Sequence, residues 1–306
     1  MKKIRITTIV NIILLLTFSL IFCCKGSNNT GNNNGIGIII DNNALSSLDS
    51  ITEADIIAAK SKLHIAYGHT SHGSQLITGM NAIMAVKGDP FTWNEGGTDG
   101  ALDIDDYAMG GDVGYYPDWV NNTRAYLGEP DQNTGRGSNS AHSDVNVIIW
   151  SWCGQVSDRT EQGMIDTYLA PMSQLEADYP GITFVYMTGH TDGTGLDGNL
   201  HLRNEQIRDY CRVNNKILFD FETLESYNPD GVYFGDKIVN DNCDYDSNGD
   251  GSRESNWAAL WEDANPDHEL TAISDASGGC AHSQTLNCVQ KGVGAWFLWV
   301  QIAKLY

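Results

Sequence analysis

Positive charge is scarce in this chain. Lys and Arg number 18 against 39 Asp and Glu, so the formal net charge is −21. Three of the bases, Lys2, Lys3 and Arg5, belong to the extreme N-terminus, and no Lys/Arg cluster follows them. A field of that sign repels phosphate backbones, which excludes nucleic acid as a partner and leaves neutral polymers and cationic groups open. Internal repeats are absent as well, so a repeat array is excluded. Past residue 24, cysteine amounts to an odd set: Cys153, Cys211, Cys243, Cys280 and Cys288. At most two bridges can form, leaving one thiol. Cys280 and Cys288 flank one short loop and are the best local pair.

One long apolar run stands at the N-terminus. A basic start leads into apolar residues 9–23, the pattern of a secretory signal. The run closes on Ser19-Leu20-Ile21-Phe22-Cys23-Cys24, where bacterial lipoproteins place their lipidated cysteine, so Cys23 and Cys24 are the lipidation candidates. Residues 1–23 are read as the signal and 24–50 as a flexible tether, beginning in an Asn/Gly tract that can bury nothing. The expectation is an exported protein of the cell envelope, touching the membrane through a lipid anchor only. Residues 51–306 are long enough for one large domain with a core of its own.

Along that domain, helical and strand signals alternate. Residues 51–62 have helical periodicity behind a candidate cap at Thr52, 63–67 read as a strand, and 75–86 as a helix. Residues 88–143, rich in Gly, Asp, Asn and Tyr, read as a long loop insertion. The runs 145–150, 182–187 and 216–221 are strands of the kind buried on both faces; 161–179, 200–214 and 286–305 are helices. This alternation predicts an α/β fold with a mainly parallel sheet between two helical layers, flavodoxin-like in architecture. Ligands in such sheets bind beyond the carboxyl ends of the strands. Ser71, Gly154, His190 and Asp220 all fall there.

The segment Tyr67-Gly68-His69-Thr70-Ser71-His72-Gly73 ends an apolar run and presents a serine between two histidines. A strand edge and a following helix N-terminus would fix that hydroxyl and offer N–H donors to an oxyanion. Trp150-Ser151-Trp152-Cys153-Gly154-Gln155 follows a second strand, and Cys280-Ala281-His282-Ser283 precedes the last helix. In this order the three segments resemble the blocks of the SGNH/GDSL hydrolases, a three-layer α/β family of esterases and carbohydrate deacetylases, over most of residues 60–306. The Gly-Asp-Ser signature itself is missing, and so is the aspartate three residues before the histidine, where Gly279 stands. The resemblance implies acyl transfer from an acylated carbohydrate. Ser71 would be the nucleophile, with Thr70 its neighbouring rival, and His282 the base. Asp275 is the nearest upstream acid, or a Ser-His dyad acts alone. Oxyanion donors would come from Ser71, from Gln155, and from one of Gly110, Gly111 or Gly114, of which Gly114 is preferred. His69, His190 and Gly154 would line the substrate pocket.

Two metal readings accompany this one. His69 and His72, with His190 and Asp192 from the next strand end, form a candidate set for a metal-dependent hydrolase. Separately, residues 244–254 contain Asp-x-Asn-x-Asp-Gly from Asp246. Alternating oxygens with a glycine at the turn suit Ca2+ held by Asp246, Asn248, Asp250, Ser252 and Glu254, or Asp244. An EF-hand would need Glu at the twelfth position, where Trp257 stands. Trp93, Tyr107, Tyr115, Tyr116 and Trp119 are candidates for stacking on sugar rings or for packing the 88–143 insertion. The contrasting expectation is a calcium-stabilised surface binding lipoprotein that keeps the fold without the chemistry.

Overall fold

In Val147-Ile148-Ile149-Trp150 every side chain is buried, yet successive residues part company. Val147 and Ile149 enter one apolar cluster, Ile148 and Trp150 another. The same division separates Ile65 and Tyr67 from Ala66, and Val185 and Met187 from Phe184 and Tyr186. A strand whose two faces are both covered must be apolar throughout, and each such side chain contributes about 1.5–3 kcal/mol. The runs read from the sequence are therefore the centre of a three-layer sandwich.

The structure, a computed structural model, describes residues 37–46 and 48–306. Seven parallel strands, β1 (Ile38–Ile40), β2 (His64–Gly68), β3 (Trp93–Asn94), β4 (Leu102–Asp106), β5 (Val147–Trp150), β6 (Thr183–Met187) and β7 (Ile217–Phe219), lie in the order β1-β7-β6-β5-β2-β4-β3. A small hairpin, β8 (Asp244–Tyr245) with β9 (Ser255–Asn256), stands apart. The helices are α1 (Glu53–Lys62), α2 (Ser74–Lys87), α3 (Asp118–Leu127), α4 (Glu161–Met164), α5 (Ala170–Asp178), α6 (Asn199–Val213), α7 (Phe221–Ser226), α8 (Trp257–Ala264), α9 (Glu269–Asp275) and α10 (Thr285–Ala303). Side chains of α1, α2 and α7–α10 fill the first cluster, and those of α3–α6 the second. Thr52 caps α1 in a reciprocal box with Asp55, as its sequence suggests. Among the described residues no helix is long and apolar enough to cross a membrane.

Three boundaries differ from the sequence reading. Residues 38–50 are not tether. β1 pairs with β7, and Ile40, Ala44, Leu45 and Leu48 are buried behind it. The rest of the tether, the signal, Cys23 and Cys24 lie outside the described residues. The 88–143 insertion contains β3, β4 and α3, so it is part of the sandwich; Leu102 and Ile104 are fully buried on one face of β4. Finally, the helix read over 161–179 is divided by a π turn at Ile165–Leu169. It lies just ahead of Pro171, which has no N–H to continue a regular ladder.

From β2 the chain runs to the edge strand β3 and back to β4 on one side, and from β5 it proceeds to β6 and β7 on the other. The reversal falls between β2 and β5. The crevice beyond their carboxyl ends is where an open α/β sheet leaves room for a ligand.

Candidate functional site

The β2–α2 turn delivers His72 into that crevice. Its tightness depends on Gly73, where an added methyl would stand 2.2 Å from Ser151 Oγ and 2.3 Å from His69 Cβ. Tyr67 closes the turn by donating its hydroxyl to the Gly73 carbonyl at 2.9 Å. From the end of β5 comes Cys153, its Sγ 3.3 Å from His72 Nδ1. On the opposite edge of the same imidazole, Nε2 lies 3.1 Å from Asp241 Oδ2. With Nε2–H donating to the carboxylate, Nδ1 keeps the lone pair that faces the thiol.

Two further histidines sandwich His72. The His190 ring, from the end of β6, stacks on it at 3.9 Å and 3°, and the His282 ring stacks on it at 4.4 Å and 14°. His190 is buried, whereas His282 is exposed and sits at φ 61 on the loop before α10. Burial lowers the His72 pKa; the Asp241 bond opposes this, neighbouring imidazoles add to it, and the net shift is downward. His72 is thus a neutral base at neutral pH. Burial raises the Asp241 carboxyl, but the bond from His72 and the electrostatic influence of the facing imidazoles outweigh it, so its pKa ends low and Asp241 is ionised.

The residues expected at the site are dispersed as follows. Ser71 lies in the crevice, with Oγ 3.8 Å from Cys153 Sγ, and no hydrogen bond joins it to His282 among the described residues. His282 reaches the cluster through its ring face, while Asp275 is exposed at the end of α9, with no hydrogen bond to His282 among the described residues. The acid beside the base is Asp241 instead. Gly114 and Gln155 do meet, since a methyl on Gly114 would fall 2.3 Å from Gln155 Cδ. The Gly114 N–H, however, is spent on Asp112 Oδ1 at 2.9 Å, and Thr70 Oγ1 donates to Asp112 Oδ2 at the same distance. That removes Gly114 as an oxyanion donor and Thr70 as a free hydroxyl. Gln155 Oε1 accepts from Cys153 N at 3.1 Å, and Gly154 is exposed at the mouth.

The four-residue metal set also divides. His69 presents Nε2 to Asp106 Oδ1 at 2.6 Å and Nδ1 to the Thr70 carbonyl at 2.9 Å, so both nitrogens are engaged. Asp192 caps Thr194, accepting from its N–H at 3.0 Å. His72 and His190 remain, and Asp241 joins them with ligand atoms all within 4.8 Å of one another.

Buried ion networks hold the His190 turn from below. Glu225 accepts from Thr191 N at 2.7 Å and pairs with Lys291 at 2.9 Å. Thr188 Oγ1 donates to Asp220, which Arg208 grips with two bonds; Arg208 also donates to Glu222, 3.0 Å from His201 Nδ1. The Glu222 bond raises the His201 pKa despite burial. Stability from this pair is therefore complete below about pH 6.5, the unfolded value, and is lost as pH rises through the higher folded one. Between pH 6 and 8 the melting temperature of the native chain is expected to fall about 1–2 °C more than that of His201→Gln. Equal slopes in thermal melts would deny the linkage.

At the far end of the β8–β9 hairpin, the carboxylates of Asp246, Asp250 and Glu254 lie within 4.8 Å of one another. Asp246 accepts from the amides of Asn248, Gly249 and Gly251, Asp250 from Ser252 and Glu254 from Ser247, which holds all three pKa values low. Asn248 Oδ1 accepts from Asp250 N at 2.9 Å. Cys280 and Cys288 are bridged, the pairing read from their spacing.

Comparison with family models, curated proteins and solved structures finds no match for this chain.

Proposed function

We propose that this chain is an exported hydrolase that cleaves an ester or related acyl bond of a carbohydrate-type substrate, with Cys153 as nucleophile and His72 as base. One observation carries the reading. The two edges of a single neutral imidazole face a thiol at 3.3 Å and a carboxylate at 3.1 Å, the nucleophile–base–acid order of covalent acyl transfer. The thiol proton passes to His72 Nδ1 as Sγ bonds to the carbonyl carbon. The imidazolium, steadied by Asp241, returns that proton to the leaving alcohol. Water, deprotonated by the same nitrogen, then releases the acid and restores the thiol. Charge on the carbonyl oxygen would meet Gln155 Nε2 and the N–H groups of Ser71, His72 and Gly73, which have no acceptor among the described residues at the head of α2.

The substrate class is supported by the rim. Tyr107, Tyr115 and Tyr116 are 56%, 58% and 48% exposed, and such ring faces suit sugar rings. Trp119 is core, not rim. Export rests on the N-terminal pattern of charge and apolar residues. The test is turnover of an aryl acetate by the purified chain, before and after iodoacetamide. Cys211 and Cys243 are buried and burial raises both thiols, Cys243 to about 12, so among the described residues alkylation should select Cys153, and its modification is followed at that residue by peptide mapping. Turnover that survives complete alkylation of Cys153 sinks the reading. The second reading, Ser71 as nucleophile, is favoured by its position beside Cys153 and would then be tested by Ser71→Ala.

The 244–254 turn is proposed as a calcium loop serving the scaffold. The hairpin frames the turn that carries Asp241: Asn240 Oδ1 accepts from Asp244 N at 2.9 Å, and Asn256 donates to the Asn242 carbonyl at 2.7 Å. An ion present at about 100 times its Kd stabilises the fold by about 2.7 kcal/mol. Chelation is therefore expected to lower the melting temperature by roughly 5–10 °C, with calcium restoring it. Asp246→Ala/Asp250→Ala should lose that response and keep part of the turnover. A melting curve indifferent to chelator would leave a solvated acidic turn.

A further inference from the structure

One nitrogen in the crevice is left unexplained by acyl transfer. His190 is 9% exposed, and its Nδ1 lies 2.7 Å from the Thr191 carbonyl, so Nδ1 carries the proton and donates it. In the tautomer with the proton on Nδ1, Nε2 presents a lone pair, and this atom is buried without a hydrogen-bond partner among the described residues. Its neighbours deepen the problem. Asp241 and His72 converge with His190, one ligand atom of each lying within 4.8 Å of the others. A buried lone pair beside a carboxylate, with no donor between them, is an arrangement that a cation relieves.

We infer that His72, His190 and Asp241 form a binding site for a divalent metal ion of the zinc type, and that its occupation switches off the Cys153–His72 reaction. Imidazole nitrogens with one carboxylate select borderline metals such as zinc over calcium or magnesium, which take all-oxygen sets. Two histidines and one carboxylate also leave a fourth position open, to be filled by water. The two stacked rings, parallel to 3°, must tilt toward a shared ion.

The consequence for catalysis follows from the tautomer. In the metal-free site His72 carries its proton on Nε2, facing Asp241, and its lone pair on Nδ1, facing Cys153. A metal on Nε2 requires that lone pair instead, so the ring proton moves to Nδ1. A neutral imidazole in that form has no site left for the thiol proton, and Asp241, drawn to the metal, no longer steadies an imidazolium. No proton is gained or lost by the ring; it changes edges. Regulation in this sense rests on the acyl-transfer reading, whereas the binding site stands on His190 and does not.

The experiment uses the full chain, freed of metal by chelator and held in excess calcium so that the 244–254 turn is not the zinc target. Zinc chloride is titrated by calorimetry, and aryl acetate turnover is followed in parallel. The expected result is one zinc per chain with turnover falling at least about tenfold at saturation. Loss of an outer-shell partner already costs a metal site about 10–100-fold, so His190→Gln is expected to weaken binding by about 100-fold or more. Cobalt(II) added to the native chain gives a readout independent of that variant's folding, because four-coordinate ligation by imidazole produces intense visible d–d absorption, whereas an adventitious hexa-aqua ion absorbs only weakly. No zinc uptake, unchanged affinity in a folded His190→Gln, or saturation without inhibition overturns the proposal. Turnover that requires zinc overturns both the switch and the thiol mechanism. Zinc bound through His190 in a chain that turns over nothing sustains the metal site and defeats the acyl-transfer reading.

Discussion

Cys153→Ala is expected to lower aryl acetate turnover by roughly 10³–10⁴-fold or more, the scale on which loss of a covalent nucleophile is felt. The folded state should survive, because Cys153 is only partly buried at a strand end, and Gly154 beyond it is exposed. His72→Gln should cost as much, and the double variant little more than either alone, because a nucleophile without its base and a base without its nucleophile fail together. Asp241→Ala is expected to cost less, since it removes the group that orients His72 and leaves the proton acceptor in place. Ser71→Ala is the discriminating member of the series. Its hydroxyl touches the thiol at 3.8 Å but no imidazole, so most of the turnover should remain. Steady-state kinetics on these variants, with circular dichroism to establish folding, checks the assignment. A dead Ser71→Ala beside an active Cys153→Ala would transfer the chemistry to the serine.

The sandwich was readable wherever burial on both faces forces an unbroken apolar run, as at 145–150 and 182–187. It was hidden where one face is polar. β4 reads Leu102-Asp103-Ile104-Asp105-Asp106, and its acids lowered its strand signal, although the period of two was present. Those acids have partners no local rule supplies: Asp103 pairs with His64, Asp105 with Tyr126 and Asp106 with His69. β1 was hidden differently, by its closeness to an Asn/Gly tract. In the crevice, the strand-end rule located the β2, β5 and β6 turns and thereby His72 and His190. The same rule covers Cys153, three residues past the end of β5, to which the sequence reading assigned no chemical role. Asp241 carried no signal. It lies in a turn with no periodicity and meets His72 across 169 residues of sequence. A contact of that kind is created by the tertiary fold, through a hairpin that the acidic turn only hints at.

The position of His72 relative to His282 depends on a helix crossing, and here the second large effect is expected. α2 begins just after the His72 turn, and α10 begins just after the His282 loop. The two helices pass so closely that a methyl built on Gly79 would stand 1.8 Å from the Cys288 carbonyl oxygen, and one on Gly292 would stand 2.4 Å from the Gly79 carbonyl carbon. Every atom in these collisions is backbone, so no rotamer change relieves them. Gln75 Nε2 donates to the Ala281 carbonyl at 2.6 Å, and Cys288 is bridged to Cys280, so displacement of α10 would carry the His282 loop with it. Overpacking of a core costs about 1–3 kcal/mol when side chains can yield, and more when they cannot. Gly79→Ala is therefore expected to cost about 3 kcal/mol or more, and Gly79→Val to prevent the native packing. Gly110→Ala is the control, with open space around the added methyl and an expected change within about 0.5 kcal/mol. Urea midpoints measure both. A Gly79→Ala chain as stable as Gly110→Ala would mean that α2 and α10 do not cross at these glycines, and the stacking of His282 on His72 would lose its structural cause.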